Sequence, residues 1–236
     1  RLLTETDVSA ARKVAVVNQE FVKRYLDKSD PIGQLAKFKR LITEGKLDEA
    51  AEIAKAQVKN GAHIVDICLA NPDRNELEDM RNFLEQAIHK VRVPLMIDST
   101  DPKVFELALT YCQGKAILNS INLEDGEERF DLVLPTAKQF GAAVVVGTID
   151  DDPVQGMGIS RERKLEIAER SYKLLTEKWG IAPEDIYWDP LVFPCGTGDA
   201  QYVGSAIETI EGLGRVVRVE SNPPGMGVVL LELSKY

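Results

Sequence analysis

Six places where an apolar run gives way to a carboxylate, amide or hydroxyl hold the chemistry available to this chain. They are Asp66, Asp98-Ser99-Thr100, Asn119-Ser120, Thr148 with Asp150, Asp189-Pro190 and Ser221-Asn222. Converging carboxylates and amides with no Lys or Arg among them suit a neutral heterocycle that offers several N–H donors and ring acceptors. A phosphate would instead want glycine-rich turns at helix N-termini and a cation. No Ser/His or Cys/His arrangement for nucleophilic attack is visible. His63 and His89 stand alone, without HxxE or HExxH spacing, so no metal is expected.

Each of these side chains has a plainer use, because Asp and Asn after a strand also cap the next helix. Asp101, followed by Pro102, is the better cap for its helix, which leaves Asp98 for a ligand. Asn119 precedes its helix by several residues, and Pro190 holds Asp189 extended at a strand tip. The stretch Cys195-Gly196-Thr197-Gly198-Asp199 reads equally as a ligand-lining loop or a turn. Asp150-Asp151-Asp152-Pro153 reads as a solvated loop in which Asp150 alone could face a site.

The elements that must position these groups are short β-branched runs alternating with amphipathic stretches, the pattern of parallel βα units. Strands are expected at His63–Leu69, Pro94–Asp98, Lys115–Asn119, Ala142–Ile149, Ile186–Asp189 and Val216–Glu220. They are mostly apolar, as strands covered on both faces are. Leu47, Ala50, Ala51, Ala54 and Val58 share one side of a helix that Gly61 can end. Leu77, Met80, Leu84, Ala87, Ile88 and Val91 do the same in the next unit. Ser160 can cap a long helix with a buried stripe of Leu165, Ala168, Tyr172, Leu175 and Trp179, followed by Gly180. Six such units favour an α/β barrel of TIM-like (β/α) type over an open sheet. In such barrels the loops after the strands' C-terminal ends build the active site.

The 236 residues carry a net charge of −9 and are 44% hydrophobic, with no apolar run near membrane-spanning length. That acidity argues against nucleic acid or an anionic membrane as the main partner and for a small molecule or another protein. Cys68, Cys112 and Cys195 are widely spaced and odd in number, which suggests reduced thiols and a cytoplasmic location. Beginning Arg1-Leu2-Leu3 without a signal-peptide layout, the chain reads as a piece of a longer one. The oligomeric state stays open, a homodimer included.

Between Lys37 and Leu213 the segments FKRLITEGKLDEA, VKNGAHIVDICLANPDRNELEDM, VPLMIDSTDPKV, GKAILNSINLEDGEERF, GAAVVVGTIDDDP, ISRERKLEIAERSY and WDPLVFPCGTGDAQYVGSAIETIEG follow one another. With MIDST, LNSIN and WDPL at family-like spacing, this stretch resembles the folate-binding domain of cobalamin-dependent methionine synthase. It is more distantly similar to methyltetrahydrofolate:corrinoid methyltransferases and dihydropteroate synthases. The resemblance implies a pterin-binding barrel over residues 37–222, incomplete at its first and last units, between a 1–36 appendage or surrogate first strand and a 223–236 tail. It implies that the pterin is held by Asp66, Asp98, Asn119, Asp189 and Asn222, with Asp98 and Asn222 catalytic. One carboxylate, Asp189 or Asp98, can accept both the ring N–H and the exocyclic amine of a pterin. Asn222 would hydrogen-bond N5, from which the methyl leaves, while Asp98 and water deliver a proton. The implied substrate is methyltetrahydrofolate, and the acceptor is a cobalamin (corrinoid) on a partner domain or protein.

Two departures stand out. The Gly-Glu-Arg-x-Asn motif that opens such barrels is missing, and Pro223 and Pro224 follow Ser221-Asn222, the remnant of a late Ser-Asn-Val-Ser motif. Arg12–Gly33, RKVAVVNQEFVKRYLDKSDPIG, instead resembles the periplasmic core of macrolide-exporter-type ABC-transporter permeases, which implies a fusion near Ile32–Lys37. Within the leader, Lys13–Asn18 reads as a strand, Gln19–Leu26 as a short helix and Ser29–Gly33 as a turn; Val228–Leu233 reads as a last strand. Three functions therefore stand side by side: a methyltransferase domain, a dihydropteroate synthase-like enzyme that would want a Lys or Arg at a strand end, and an inactive pterin-binding fragment or binding module.

Overall fold

Val65, Ile67 and Leu69 alternate with Asp66 and Cys68, and the odd-numbered side chains of this run are buried while the even-numbered ones reach solvent. The same period of two runs through the sheet, because successive strand residues point to opposite faces. The computed structural model describes residues 31–193 and 200–220, with side chains for 37–193 and 200–212. Five strands, β1 (Val65–Cys68), β2 (Leu95–Asp98), β3 (Ile117–Leu123), β4 (Ala143–Asp150) and β5 (Ile186–Asp189), pair in sequence order and all in parallel.

Helices α1 (Pro31–Thr43), α2 (Leu47–Lys59), α3 (Glu76–Ala87), α4 (Pro102–Leu109), α5 (Glu128–Phe140), α6 (Arg161–Lys173) and α7 (Ser205–Glu220) alternate with these strands. Val65, Ile67, Ile97, Leu118, Val144, Val146 and Trp188 belong to one buried cluster with the helices' Met80, Phe83, Phe105, Phe130 and Leu134. The opposite face of the sheet carries a separate small layer of Met96, Ile117, Ala143 and Val145, with Ile64 and Tyr187 against it. Helices on one face and a narrow apolar layer on the other are the wall of a TIM-barrel-like fold. The described residues supply five of its strands.

Local chemistry sets the helix ends. Asp101 accepts from Lys103 N (2.9 Å) ahead of Pro102, Ser160 from Arg163 N (3.2 Å), and Asn75 from Glu78 N (3.2 Å). Each satisfies a backbone donor that the first turn cannot. Before α3, the exposed Arg74 grips buried Asp79 with its guanidinium through two hydrogen bonds of 2.6 Å, tying the β1–α3 loop down. Burying one core aromatic such as Phe105 contributes about 1.5–3 kcal/mol.

Several expectations are corrected. Val216–Glu220 is the last part of α7, not a strand. Its β-branched residues favour strands only weakly, and the helix begun at Ser205 carries through them. The described chain therefore has five strands, not six. Pro31–Gly33, expected in a turn, opens α1, which continues without a break across the 36/37 boundary. The Asp30-Pro31 pair repeats the cap-and-proline signal used at Asp101-Pro102. Of the expected stripe after Ser160, Ala168 and Leu175 are buried and Tyr172 and Trp179 pack against the core, while Lys164, Ile167 and Ser171 complete the buried face of α6 in place of Leu165. A π-helical turn, Leu174–Lys178, then carries buried Leu175 toward Gly180. The expected elements at Lys13–Asn18, Gln19–Leu26 and Val228–Leu233 lie outside the described residues.

Candidate functional site

In parallel strands, residues in register share a face. Asp98 is in register with Cys68 and with Asn119, and Asp189 with Gly147, all on the concave side away from the helices. Asp98 and Asn119 are each about nineteen-twentieths buried. Immediately after them, Ser99 and Ser120 enter the wall of a cleft of about 350 Å³ that Gly147, Ile149, Asp189 and Leu191 also line. That volume lies within the usual range of small-molecule sites. Asp98, Asn119 and Asp189 therefore stand at one end of one face.

Asn119 holds the most informative atom. Its Oδ1 is buried and has no hydrogen-bond partner among the described residues. Such an acceptor costs about 1–3 kcal/mol unless a donor from beyond the described residues reaches it. Asp189 is held by its own loop, since its Oδ1 accepts from Leu191 N at 2.9 Å.

Other expected residues lie elsewhere. Asp66 is on the concave face but one layer deeper, level with Met96, because β1 runs on to Cys68. Cys68 occupies the row of Asp98 and Asn119, and its thiol donates to Asp98. Burial first, then the charge of Asp98, push that thiol up to about 11. β3 continues past Asn119 to Leu123, with a register irregularity between Leu118 and Ile121, and both Ser120 and Asn122 line the cleft. Thr148 alternates with Val146 on the helix-facing side and is fully buried. Asp150 also turns from the site and pairs with Arg163 (2.5 Å) and Arg170 (3.5 Å). Ser221, Asn222 and the 195–199 loop lie outside the described residues. Among the described residues no group of His, Cys, Asp and Glu could hold a metal ion.

Three groups at the site escape the sequence pattern. Arg129, from the first turn of α5, lines the cleft and donates to the carbonyls of Thr100, Ser99 (3.0 Å) and Ser120 (3.3 Å). Its guanidinium is half-buried over the Phe105 ring, and desolvation lowers its pKa. The strand ends themselves carry no Lys or Arg, but this helix brings a cation over them. Glu76, the first residue of α3, accepts from the Ser99 hydroxyl. Desolvation, with Asp101 and Asp98 nearby, keeps its carboxyl above the usual range. Lys164 reaches the β5 end from α6, with its ammonium on the carbonyls of Gly158 (2.6 Å) and Pro190. Only Asn75-Glu76 at a helix start and Arg129 after Gly126 could have drawn attention in the sequence.

The methionine synthase of Mycobacterium tuberculosis is 33% identical over 179 residues, which cover 75% of this chain and 15% of that protein. Two solved structures share the fold. Dihydropteroate synthase from Xanthomonas albilineans in complex with 7,8-dihydropteroate has a TM-score of 0.53 at 18% identity, covering 73% of this chain and 61% of that one. The same enzyme in complex with indole-2-carboxylic acid and 6-chloroguanine gives 0.52 at 17% over the same shares. The chain thus spans a small part of the methionine synthase and under two thirds of the synthase structures. The family model described as pterin binding enzyme matches residues 36–221, from the middle of α1 through the whole parallel sheet to the end of α7. Its strands, the acid-and-amide row at their C-terminal ends and this match agree: the chain belongs to the pterin binding enzyme family.

Proposed function

We propose that this chain binds methyltetrahydrofolate through its pterin ring and presents the N5-methyl group for transfer to a corrinoid. The observation that carries the reading is the buried Oδ1 of Asn119, an acceptor with no donor among the described residues, in register with buried Asp98 and on the same face as Asp189. A pterin supplies matching N–H donors. Asp189 or Asp98 accepts the ring N–H and exocyclic amine together, at about 1.5–3 kcal/mol per charge-assisted bond. Asp66, a layer below, serves the site through the charge it places near Cys68, whose thiol donates to Asp98. Asp98 and a water hold the proton that N5 must receive as its methyl departs, with Asn222 hydrogen-bonding that nitrogen. A reduced corrinoid on a partner domain or protein supplies the methyl acceptor, so no side chain of this chain needs to attack. The identity to a methionine synthase supports this choice.

The pterin unit is taken as residues 37–222, with 1–36 as an appendage or surrogate first strand and 223–236 as a tail. A reducing, cytoplasmic setting accords with the free thiols of Cys68 and Cys112. No described helix is long and apolar enough to cross a membrane.

A second reading has one observation in its favour. The guanidinium of Arg129 in the cleft is a cation of the kind that condensation of a pterin pyrophosphate with an arylamine requires. Three ligands separate the readings by fluorescence titration and turnover: methyltetrahydrofolate, methyltetrahydrofolate with reduced cobalamin, and a dihydropterin pyrophosphate with an arylamine. Saturable folate binding with cobalamin methylation is expected. Binding without transfer would leave a binding module, arylamine condensation would favour the second reading, and no binding would overturn both.

A further inference from the structure

Lys164 is a lysine with no exposed surface, in a place where α6 would ordinarily present an apolar residue. Its Nζ donates to the carbonyls of Gly158 (2.6 Å), Pro190 (2.5 Å) and Leu191 (3.4 Å), and lies 5.0 Å over the Phe193 ring. Three backbone acceptors satisfy the three protons of an ammonium. Two glycines make room for the stem. A Cβ on Gly158 would stand 2.9 Å from Thr148 O and 3.3 Å from Lys164 Cα and Cγ. One on Gly212 of α7 would stand 2.9 Å from Lys164 Cδ.

What this ammonium grips is the turn after β5. Leu191 has a φ of 58°, a left-handed conformation that residues with a Cβ rarely adopt and that persists only where the surroundings impose it. Its carbonyl receives both Lys164 and the Thr209 hydroxyl (2.9 Å), while its amide donates to Asp189 Oδ1 (2.9 Å). Arg161 on α6 anchors α7 by donating to Glu208 from its backbone N (2.8 Å), Nε (2.9 Å) and Nη2 (2.5 Å). The carboxylate at the cleft is thus oriented by a peptide whose other side is clamped from two helices.

We propose that Lys164 is a positioning residue: by holding the Pro190 and Leu191 carbonyls it keeps Leu191 in its left-handed turn, and through the Leu191 amide it aims Asp189 into the cleft. Its consequence for ligand binding rests on the reading of Asp189 as a pterin contact; the clamp itself does not.

Hydrogen exchange and fluorescence titration with methyltetrahydrofolate on wild type, Lys164→Met and Lys164→Met/Leu191→Gly test both parts. Methionine fills the stem's volume without the donors. The Leu191 amide of Lys164→Met is expected to exchange at least about tenfold faster while amides of β2 to β4 keep their protection. Methyltetrahydrofolate affinity should fall by about tenfold or more, and the added glycine, at ease at positive φ, should restore most of it. A purely core-filling role would lower the melting temperature of both variants with no selective change at Leu191 and no rescue. Should Lys164→Met fail to fold, Thr209→Val, which removes the other donor to Leu191 O, must still speed exchange at Leu191. Unchanged Leu191 exchange in a folded variant overturns the clamp. Faster exchange with no folate binding even by wild type would leave the clamp standing and overturn the proposed function.

Discussion

The two ends of the cleft are built in different ways. At β2 and β3, strand alternation alone puts Asp98 and Asn119 on the concave face, over a helix-covered layer of Ile97, Leu118 and Phe105. At β5, Asp189 needs a left-handed leucine, a buried ammonium and a helix pinned by Arg161 and Glu208. The first end is rigid because its neighbours are core residues in a sheet. The second is held by polar contacts between segments up to 47 residues apart, so it should respond to single charges where the first does not.

The largest expected effect tests whether both ends serve one ligand. Asn119→Ala and Asp189→Asn should each weaken methyltetrahydrofolate binding by on the order of 2–4 kcal/mol, roughly a 30- to 1000-fold rise in Kd. Thermal melts of the same variants should move little, within about 1 kcal/mol, since neither side chain packs the helix-facing core. Asparagine keeps an oxygen for the Leu191 amide, so the second variant removes charge more than geometry. If only one variant loses affinity, the ligand lies at that end alone.

A smaller effect should appear at the β5 end only. Burial lowers the Lys164 pKa from 10.5 to about 8, while Asp189 and Glu208, the charges facing it, act in the opposite direction; Arg161 partly offsets Glu208. Between these two values the unfolded chain holds a proton that the folded chain has released, so this group's contribution to stability rises with pH across the window. Below about pH 8 both states are charged and the cost of burying the ammonium is fully present. The gain between pH 7 and 9.5 should be about 2 kcal/mol in wild type relative to Lys164→Met, read by denaturant unfolding at the two pH values. Parallel pH profiles in the two proteins would mean the ammonium is solvated.

What could be read from the residues follows the same division. Period-two strands and the caps at Asp101 and Ser160 are local signals, and they suffice to place Asp98 and Asn119 and to start α4 and α6. Asp66 lies a layer below the row of Asp98 and Asn119 because it sits in the middle of the expected His63–Leu69 strand, and Cys68, two residues on, is the one in register with Asp98. Lys164 cannot be read from the sequence, because an amphipathic pattern counts apolar side chains and its acceptors are carbonyls as far as 27 residues along the chain. Arg129 sits in an ordinary charged helix start, and only the fold brings it over the ends of β2 and β3. The three valines of Val216–Glu220 favour a strand locally, but the helix that begins at Ser205 continues through them.

The smallest effect reports on the β2 end without any ligand. Cys68 reaches solvent, yet burial and then the Asp98 charge hold its thiol near 11, and its hydrogen bond to Asp98 and the more distant Asp66 act the same way. Only the thiolate attacks an alkylating reagent, so at pH 8 about one Cys68 in a thousand is reactive and iodoacetamide labelling should be slow. Asp98→Asn removes the charge while keeping the side chain's shape, which should speed labelling of Cys68 by about three- to tenfold, equivalent to roughly 0.7–1.4 kcal/mol. Asp66→Asn should do the same more weakly, and Asp189→Asn should leave Cys68 unchanged. Cys112 is an internal control: burial alone pushes its thiol up to about 11, so no carboxylate variant should alter its rate. Peptide mass spectrometry follows both thiols in one sample. If Asp98→Asn left Cys68 as slow as before, the Asp98 carboxylate would not face the concave row, and the β2 end would lose its part in the site.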